Sequence, residues 1–270
     1  MPKIVLKDIE LNYEDKGKGV PLVLIHGASD SLKLWEPLTS TKLSERYRII
    51  AIDVRGHGKS TKPNQAYSIE QFSKDLKYLL EKLRIKKANL LGFSMGSAIA
   101  MQFALENPEK VTSLVLLSAF SYVDQNLETI LRKLEENLVK EEYFAFLDEL
   151  IKLVNTPEFL LKNQKKIQKI KKESIHNNSS IAVAHVIDAC INFDIKKVIS
   201  QVSCPALIIS GREDILTPLY FSEQIHQAIN GSEWRIIEDV GHNLLIPEKT
   251  SELLQIITKF LNSSKLKTTK

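Results

Sequence analysis

Ala88-Asn89-Leu90-Leu91-Gly92-Phe93-Ser94-Met95-Gly96 is the stretch on which the reading of this sequence turns. Ala88 to Leu91 is an apolar run of the kind a strand buried on both faces shows. Met95 to Glu106 is small and apolar and stops before Pro108, as a packed helix does. Between them stands Gly-x-Ser-x-Gly. A strand that turns straight into a helix bends so sharply that residues two places either side of the corner must be small, as Gly92 and Gly96 are. The corner lifts the Ser94 hydroxyl out of the sheet at a helix N-terminus, where unpaired backbone N–H groups point outward. In that context Ser94 is a candidate nucleophile.

Outward from this corner the apolar run recurs at Pro21 to Ile25, Arg48 to Ile52, Val111 to Leu117 and Ala206 to Ile209, with helical stretches between. Ser68, followed by Glu70 and Gln71, opens a helix to Leu83 whose Ile69, Phe72, Leu76, Leu79, Leu80 and Leu83 share one stripe. Strands alternating with helices predict an α/β fold, a mostly parallel sheet with helices on both faces. Ile4 to Tyr13 alternates as a short antiparallel hairpin before it. The rhythm breaks between Ser121 and Asp188, where the text is helical and strand-free. The expected division is a core of 1–120 and 189–263, an inserted helical cap of 121–188 and a frayed tail of 264–270.

A serine hydroxyl is a poor nucleophile at neutral pH; it needs a base, and the base an orienter. His242 lies in Asp239-Val240-Gly241-His242-Asn243, after the apolar Trp234 to Ile237 run, and Asp214 ends Gly211-Arg212-Glu213-Asp214, after the Leu207 to Ile209 strand. Both fall at the carboxyl ends of parallel strands, the edge where Ser94 emerges and where open α/β sheets bind ligands. Glu213, Asp239 and, more seriously, Asp124 are rival acids. His26 and His57 stand in Gly-containing loops and are read as structural hydrogen-bonding groups. His176 and His185 belong to the cap as surface or packing residues, and His226 to a Leu219 to Ile229 helix as a solvated one. Acyl chemistry also needs donors aimed at the developing oxyanion, often worth about 3 kcal/mol each. The backbone N–H of Met95 is one candidate, and that of Ala28, in His26-Gly27-Ala28-Ser29, is the second.

Five motifs occur in order: His26-Gly27-Ala28, Asp53-Val54-Arg55-Gly56-His57-Gly58-Lys59-Ser60, Gly92-Phe93-Ser94-Met95-Gly96, Gly211-Arg212-Glu213-Asp214 and Gly241-His242. With them the chain resembles the α/β-hydrolase superfamily, in the single-domain group with a helical cap, and within it the esterase and 3-oxoadipate enol-lactonase-like branch. The resemblance implies an eight-stranded-type, mostly parallel sheet. It also implies a serine hydrolase that cleaves a carboxylic ester, lactone or thioester through Ser94, His242 and Asp214, with no cofactor and no metal. Serine at position 94 argues against relatives that open alkyl halides or epoxides with aspartate there. Carbon–carbon bond hydrolysis and perhydrolysis are the enzymatic alternatives, and a ligand-binding protein with little turnover is the non-enzymatic one. Gly58-Lys59-Ser60 ends like a phosphate-binding loop, but Asp53 stands where that motif requires glycine. The segment is therefore read as a tight loop with Arg55 in a structural hydrogen-bond network.

Composition bounds the rest. A chain of 270 residues, 43% hydrophobic, can bury a full core, and a net charge of +4 is too small to imply a nucleic-acid partner. Cys190 and Cys204 form no CxxC or Cys/His cluster and are read as buried or incidental thiols. The N-terminus lacks a signal peptide's apolar core, and no run approaches the roughly 18 apolar residues of a membrane span, so a cytoplasmic location is expected and the Asn178-Ser179-Ser180 sequon carries no weight. The cap's apolar stripes are expected mainly to pack, with Phe120, Tyr122, Phe144 and Leu147 as candidate pocket residues for an apolar acyl group. The lysine run from Lys162 to Lys172 is read first as a solvated face, and second as an attraction for an acidic carrier protein or anionic substrate. It lacks interleaved aromatics, so no nucleic-acid or membrane partner is expected. The expected partner is a small-molecule ester or lactone.

Overall fold

The apolar runs all become strands of one sheet. The computed structural model describes the backbone of residues 2–41, 43–177 and 179–267, and the side chains of these except 173, 175–177 and 264–267. The strands are β1 (Lys3–Val5), β2 (Glu10–Lys16), β3 (Val20–Ile25), β4 (Tyr47–Ile52), β5 (Ala88–Phe93), β6 (Val111–Leu117), β7 (Ala206–Gly211) and β8 (Glu233–Ile237). They lie in the order β1-β2-β4-β3-β5-β6-β7-β8. β1 and β2 pair antiparallel and β2 joins β4 antiparallel, Tyr13 opposite Ile52; the remaining pairs are parallel. β5 and β7 are buried at every position, because helices cover both faces; hence the continuous apolar runs in place of alternation.

Short helices α1 (Glu36–Thr39) and α2 (Leu43–Arg46) follow β3, and α3 (Ile69–Lys82) follows β4. Ser68 caps α3 by accepting the Gln71 N–H at 3.1 Å. α4 (Met95–Glu106) follows β5 and is buried nearly all round. The cap lies between β6 and β7: α5 (Gln125–Val139), α6 (Tyr143–Val154), α7 (Pro157–Lys162), α8 (Gln164–Asn177) and α9 (Ser180–Ile191). An isolated antiparallel bridge between Tyr122 and Asp194 closes its base. α10 (Leu219–Ala228) and α11 (Pro247–Lys267) complete the core. The backbone of α11 thus stays helical past Leu261, while residues 268–270, the end of the expected tail, lie outside the described residues. α3, α4, α10 and the cap share one apolar cluster with one sheet face; α1 and α11 share a second with the other.

The Asp53 to Ser60 loop is filled by its own acid. Asp53 accepts from the N–H groups of Leu32 at 2.7 Å and Lys59 at 2.8 Å and from Asn12 Nδ2 at 2.7 Å. A Cβ on Gly58, whose φ is +50°, would fall 2.3 Å from the Asp53 carboxyl carbon, so no space remains for a phosphate. Arg55 is wholly buried and forks onto Asp75, Nε and Nη2 each at 2.8 Å, and onto Asp8 at 2.7 and 2.9 Å. Among the described residues no helix is long and apolar enough to cross a membrane.

Candidate active site

Ser94 sits at the corner between β5 and α4 with φ 52° and ψ −118°, a conformation that L residues rarely adopt. A Cβ on Gly92 would lie 2.2 Å from the Gly96 carbonyl oxygen, and one on Gly96 would lie 2.0 Å from that of Ile25. Larger residues cannot stand at either place. The Ser94 N–H donates to the Leu117 carbonyl at 2.9 Å, and the Ser97 hydroxyl reaches Gly92 O at 2.8 Å, so the corner is tied into the sheet. The N–H groups of Met95 and Ala28 have no acceptor among the described residues, and both residues line the cavity that Ser94 faces. Two free donors therefore flank the serine, as an oxyanion site requires.

His242 and Asp214 are both buried, and Asp214 Oδ2 lies 2.9 Å from His242 Nδ1. The loop after β7 turns on this carboxylate: its Oδ1 accepts the N–H of Leu216 at 2.9 Å and of Thr217 at 2.8 Å. The Thr217 hydroxyl donates to Oδ2 at 2.8 Å and lies 3.0 Å from His242 Nδ1. Ser118, with φ 47° just past β6, donates its hydroxyl to the His242 carbonyl at 2.7 Å. Asn243 donates its N–H to Val154 O at 2.8 Å, joining the same loop to the end of α6. The rival acids are engaged elsewhere. Asp124 caps α5 through the Leu127 N–H at 2.9 Å and accepts the Tyr220 hydroxyl at 2.5 Å. Glu213 points into solvent, and the Asp239 side chain is 85% exposed.

His26 Nε2 accepts the Val54 N–H at 3.0 Å, so its proton resides on Nδ1, 2.7 Å from Gly27 O. His57 likewise accepts the Ser29 N–H at Nε2, 3.1 Å away, and donates from Nδ1 to Arg55 O. Burial pushes both rings below the ordinary histidine range, which keeps them neutral. They pack edge to face at 4.9 Å and hold the Ala28 loop in place. His185 bonds Asn64 at 3.2 Å and packs on Tyr67, a cap-to-core contact. His226 is half-buried and bonds Ser232 at 2.8 Å, so it is not the solvated residue its helix suggests. The side chain of His176 lies outside the described residues. Both thiols are free, and burial pushes Cys190 up to about 12 and Cys204 to about 11.

The cavity between core and cap measures about 680 Å³. Leu127, Leu131 and Leu134 of α5 and Leu147, Ile151 and Val154 of α6 present helical stripes to it, with Ile187 and Cys190 of α9. Of the expected pocket residues, Phe120 and Leu147 line it. Tyr122 does not: its ring packs 5.4 Å from that of Phe221, with Lys196 Nζ 4.4 Å from its centre. Phe144 does not either; it lies in the first turn of α6, off the stripe of buried Tyr143, Phe146 and Leu147, and is 56% exposed. In the lysine run, Lys171 is buried against Asp148, Lys162 pairs with Glu158, and Lys166 reaches the cavity. Thr217 and Ser118 escape a reading of motifs. Thr217, three residues after Asp214, carries the spacing of an aspartate-closed turn; Ser118 has no local signal, since its partner stands 124 positions away.

Sheet order and the chain order Ser, Asp, His together define the class, an α/β hydrolase. The family model described as alpha/beta hydrolase fold matches residues 20–249, and the chain belongs to that family. It is 27% identical over 259 residues to the AB hydrolase superfamily protein YisY of Bacillus subtilis (strain 168), covering 94% of this chain and 96% of that one. The enol-lactonase from Burkholderia xenovorans LB400 superposes with a TM-score of 0.90 at 24% identity, over 97% of this chain and 100% of the other, a likeness of fold. Est816, described as an N-acyl homoserine lactone degrading enzyme, superposes with a TM-score of 0.83 at 28% identity, over 96% and 100%.

Proposed function

We propose that the protein hydrolyses carboxylic esters or lactones with an apolar acyl part, by two-step acyl transfer on Ser94. The observation that carries this reading is the buried His242–Asp214 pair beside a strained serine at the edge of an apolar cavity. Ser94 Oγ attacks the carbonyl carbon while His242 Nε2 takes its proton. The oxyanion forms against the N–H groups of Ala28 and Met95. His242 then hands the proton to the leaving alkoxide, the alcohol departs, and the acyl group stays on Ser94. Water gives its proton to His242, attacks the acyl-enzyme and releases the acid.

The Ser94 hydroxyl has no hydrogen bond to His242 among the described residues; catalytic hydrogen bonds of this kind are often long until the substrate is seated. The lactone-degrading activity of Est816 supports a lactone or ester carbonyl at this serine, and the leucine and isoleucine faces of α5 and α6 support an apolar acyl chain. A cavity of about 680 Å³ falls in the range that holds a ligand of a few hundred daltons. Turnover of p-nitrophenyl octanoate by the wild type and by Ser94→Ala tests the reading. Activity in the wild type that vanishes in the variant is expected; an equal rate in both overturns it.

A further inference from the structure

The cavity is chemically divided. Its cap side is mainly leucine and isoleucine, with Asn155, Lys166 and Ser174 among them, whereas the chain after β3 contributes Asp30, Ser31, Lys33, Glu36 and Ser40 beside Leu34 and Pro37. Lys33, Glu36 and Ser40 are exposed at the mouth; Asp30 is half-buried, two residues beyond Ala28. The other enclosed aspartates are all satisfied: Asp53 by two N–H groups and an amide, Asp75 by the Arg55 fork, Asp214 by two N–H groups, a hydroxyl and a histidine. The Asp30 side chain has no hydrogen-bond or ionic partner among the described residues. Drawing a carboxyl group even partly out of water with no partner is costly, and the cost is offset when a ligand supplies the partner.

Resting on the ester-hydrolase reading, we propose that Asp30 is a specificity-determining residue that binds a hydroxyl on the alcohol part of the substrate, which makes the substrate class apolar acyl esters of hydroxylated alcohols. The acyl chain takes the leucine-lined cap side, which leaves the alcohol part beside the polar loop. Burial raises Asp30 to about 7, so it stands near neutrality both as acid and as carboxylate. A hydroxyl donates to the carboxylate and accepts from the acid, and so pairs with either form. In its neutral form the carboxyl group also spares the oxyanion a charge of its own sign.

The test compares 2-hydroxyethyl octanoate with propyl octanoate, which differ by a hydroxyl in place of a methyl group, and adds 2-(dimethylamino)ethyl octanoate as a cationic arm. In the wild type kcat/KM is expected to favour the hydroxyethyl ester over the propyl ester by about five- to tenfold. That ratio should fall to near one in Asp30→Leu and largely survive in Asp30→Asn, whose amide oxygen still accepts. A wild-type ratio of one overturns the proposal whether or not Asp30→Leu folds. So does a ratio that survives in folded Asp30→Leu, or a preference for the cationic ester over the hydroxyethyl one. Failure to cleave any of the esters is a different result: it brings down the hydrolase reading and this proposal with it.

Discussion

Ser118 donates its hydroxyl to the main-chain carbonyl of His242 across 2.7 Å, joining the end of β6 to the loop that carries the proposed base. Its own N–H is held by Ile209 O at 2.9 Å, so the histidine loop is anchored to two neighbouring strands at once. Ser118→Ala removes one buried hydrogen bond and leaves an orphan carbonyl beside the base. We expect kcat to fall about five- to tenfold with KM little changed, and Tm to fall by about 2–4 °C. Steady-state kinetics on an acyl ester checks this; a change confined to KM would contradict a positioning role.

Asp214→Asn keeps the shape of the orienter but can place an amide donor where His242 Nδ1–H needs an acceptor. The ring is then drawn to the wrong tautomer, and its Nε2 can no longer accept the serine proton. A loss of about 10⁴-fold in kcat is expected, the size seen when a triad aspartate is replaced this way. Circular dichroism of the folded variant beside its kinetics separates this loss from unfolding.

Acid stability follows from His26 and His57. Both are held neutral in the folded protein, with affinities for protons below the ordinary value of 6.5. Once pH falls below about 6.5 the unfolded chain binds protons at these rings and the folded chain does not, so their stabilising contribution is present above 6.5 and lost below it. Asp30, raised to about 7, acts in the opposite sense: the folded chain binds its proton first and gains stability as pH falls below 7. Urea unfolding between pH 6 and 5 should therefore show a slope shallower by up to about 1.4 kcal/mol per pH unit in His57→Gln. An unaltered slope would mean that His57 is charged in the fold.

Arg55 is buried with Asp75, and removing it strands that carboxylate. Arg55→Met is expected to cost about 3–5 kcal/mol of unfolding free energy, and Arg55→Met with Asp75→Leu to recover much of it. Denaturant midpoints of the three proteins decide; a double variant no better than the single would assign the loss to Asp8 and packing instead.

Much of this site is legible in the residues themselves, for a physical reason. Gly92 and Gly96 are required by backbone contacts of 2.2 and 2.0 Å that any side chain would violate, so the corner leaves its mark in the text. Asp214 and His242 each follow a strand, and strand ends at one sheet edge converge whatever the intervening helices do. The cap is different. Phe144 and Leu147 stand three apart on one helix, yet Leu147 lines the cavity and Phe144 is exposed, because α6 docks through the stripe of Tyr143, Phe146 and Leu147 and Phe144 lies at its edge. That docking depends on contacts with α5 and the His242 loop, which periodicity within one helix does not encode. Ser118 stays hidden for the same reason: its role is set by what lies opposite in space.

The central claim is that Ser94 is the nucleophile. Labelling of the folded protein with a fluorophosphonate, followed by peptide mass mapping, reads this directly. One adduct per chain is expected on the peptide that contains Ser94, absent in Ser94→Ala and strongly slowed in His242→Ala. A folded wild type that does not label, or an adduct on another residue, would contradict it.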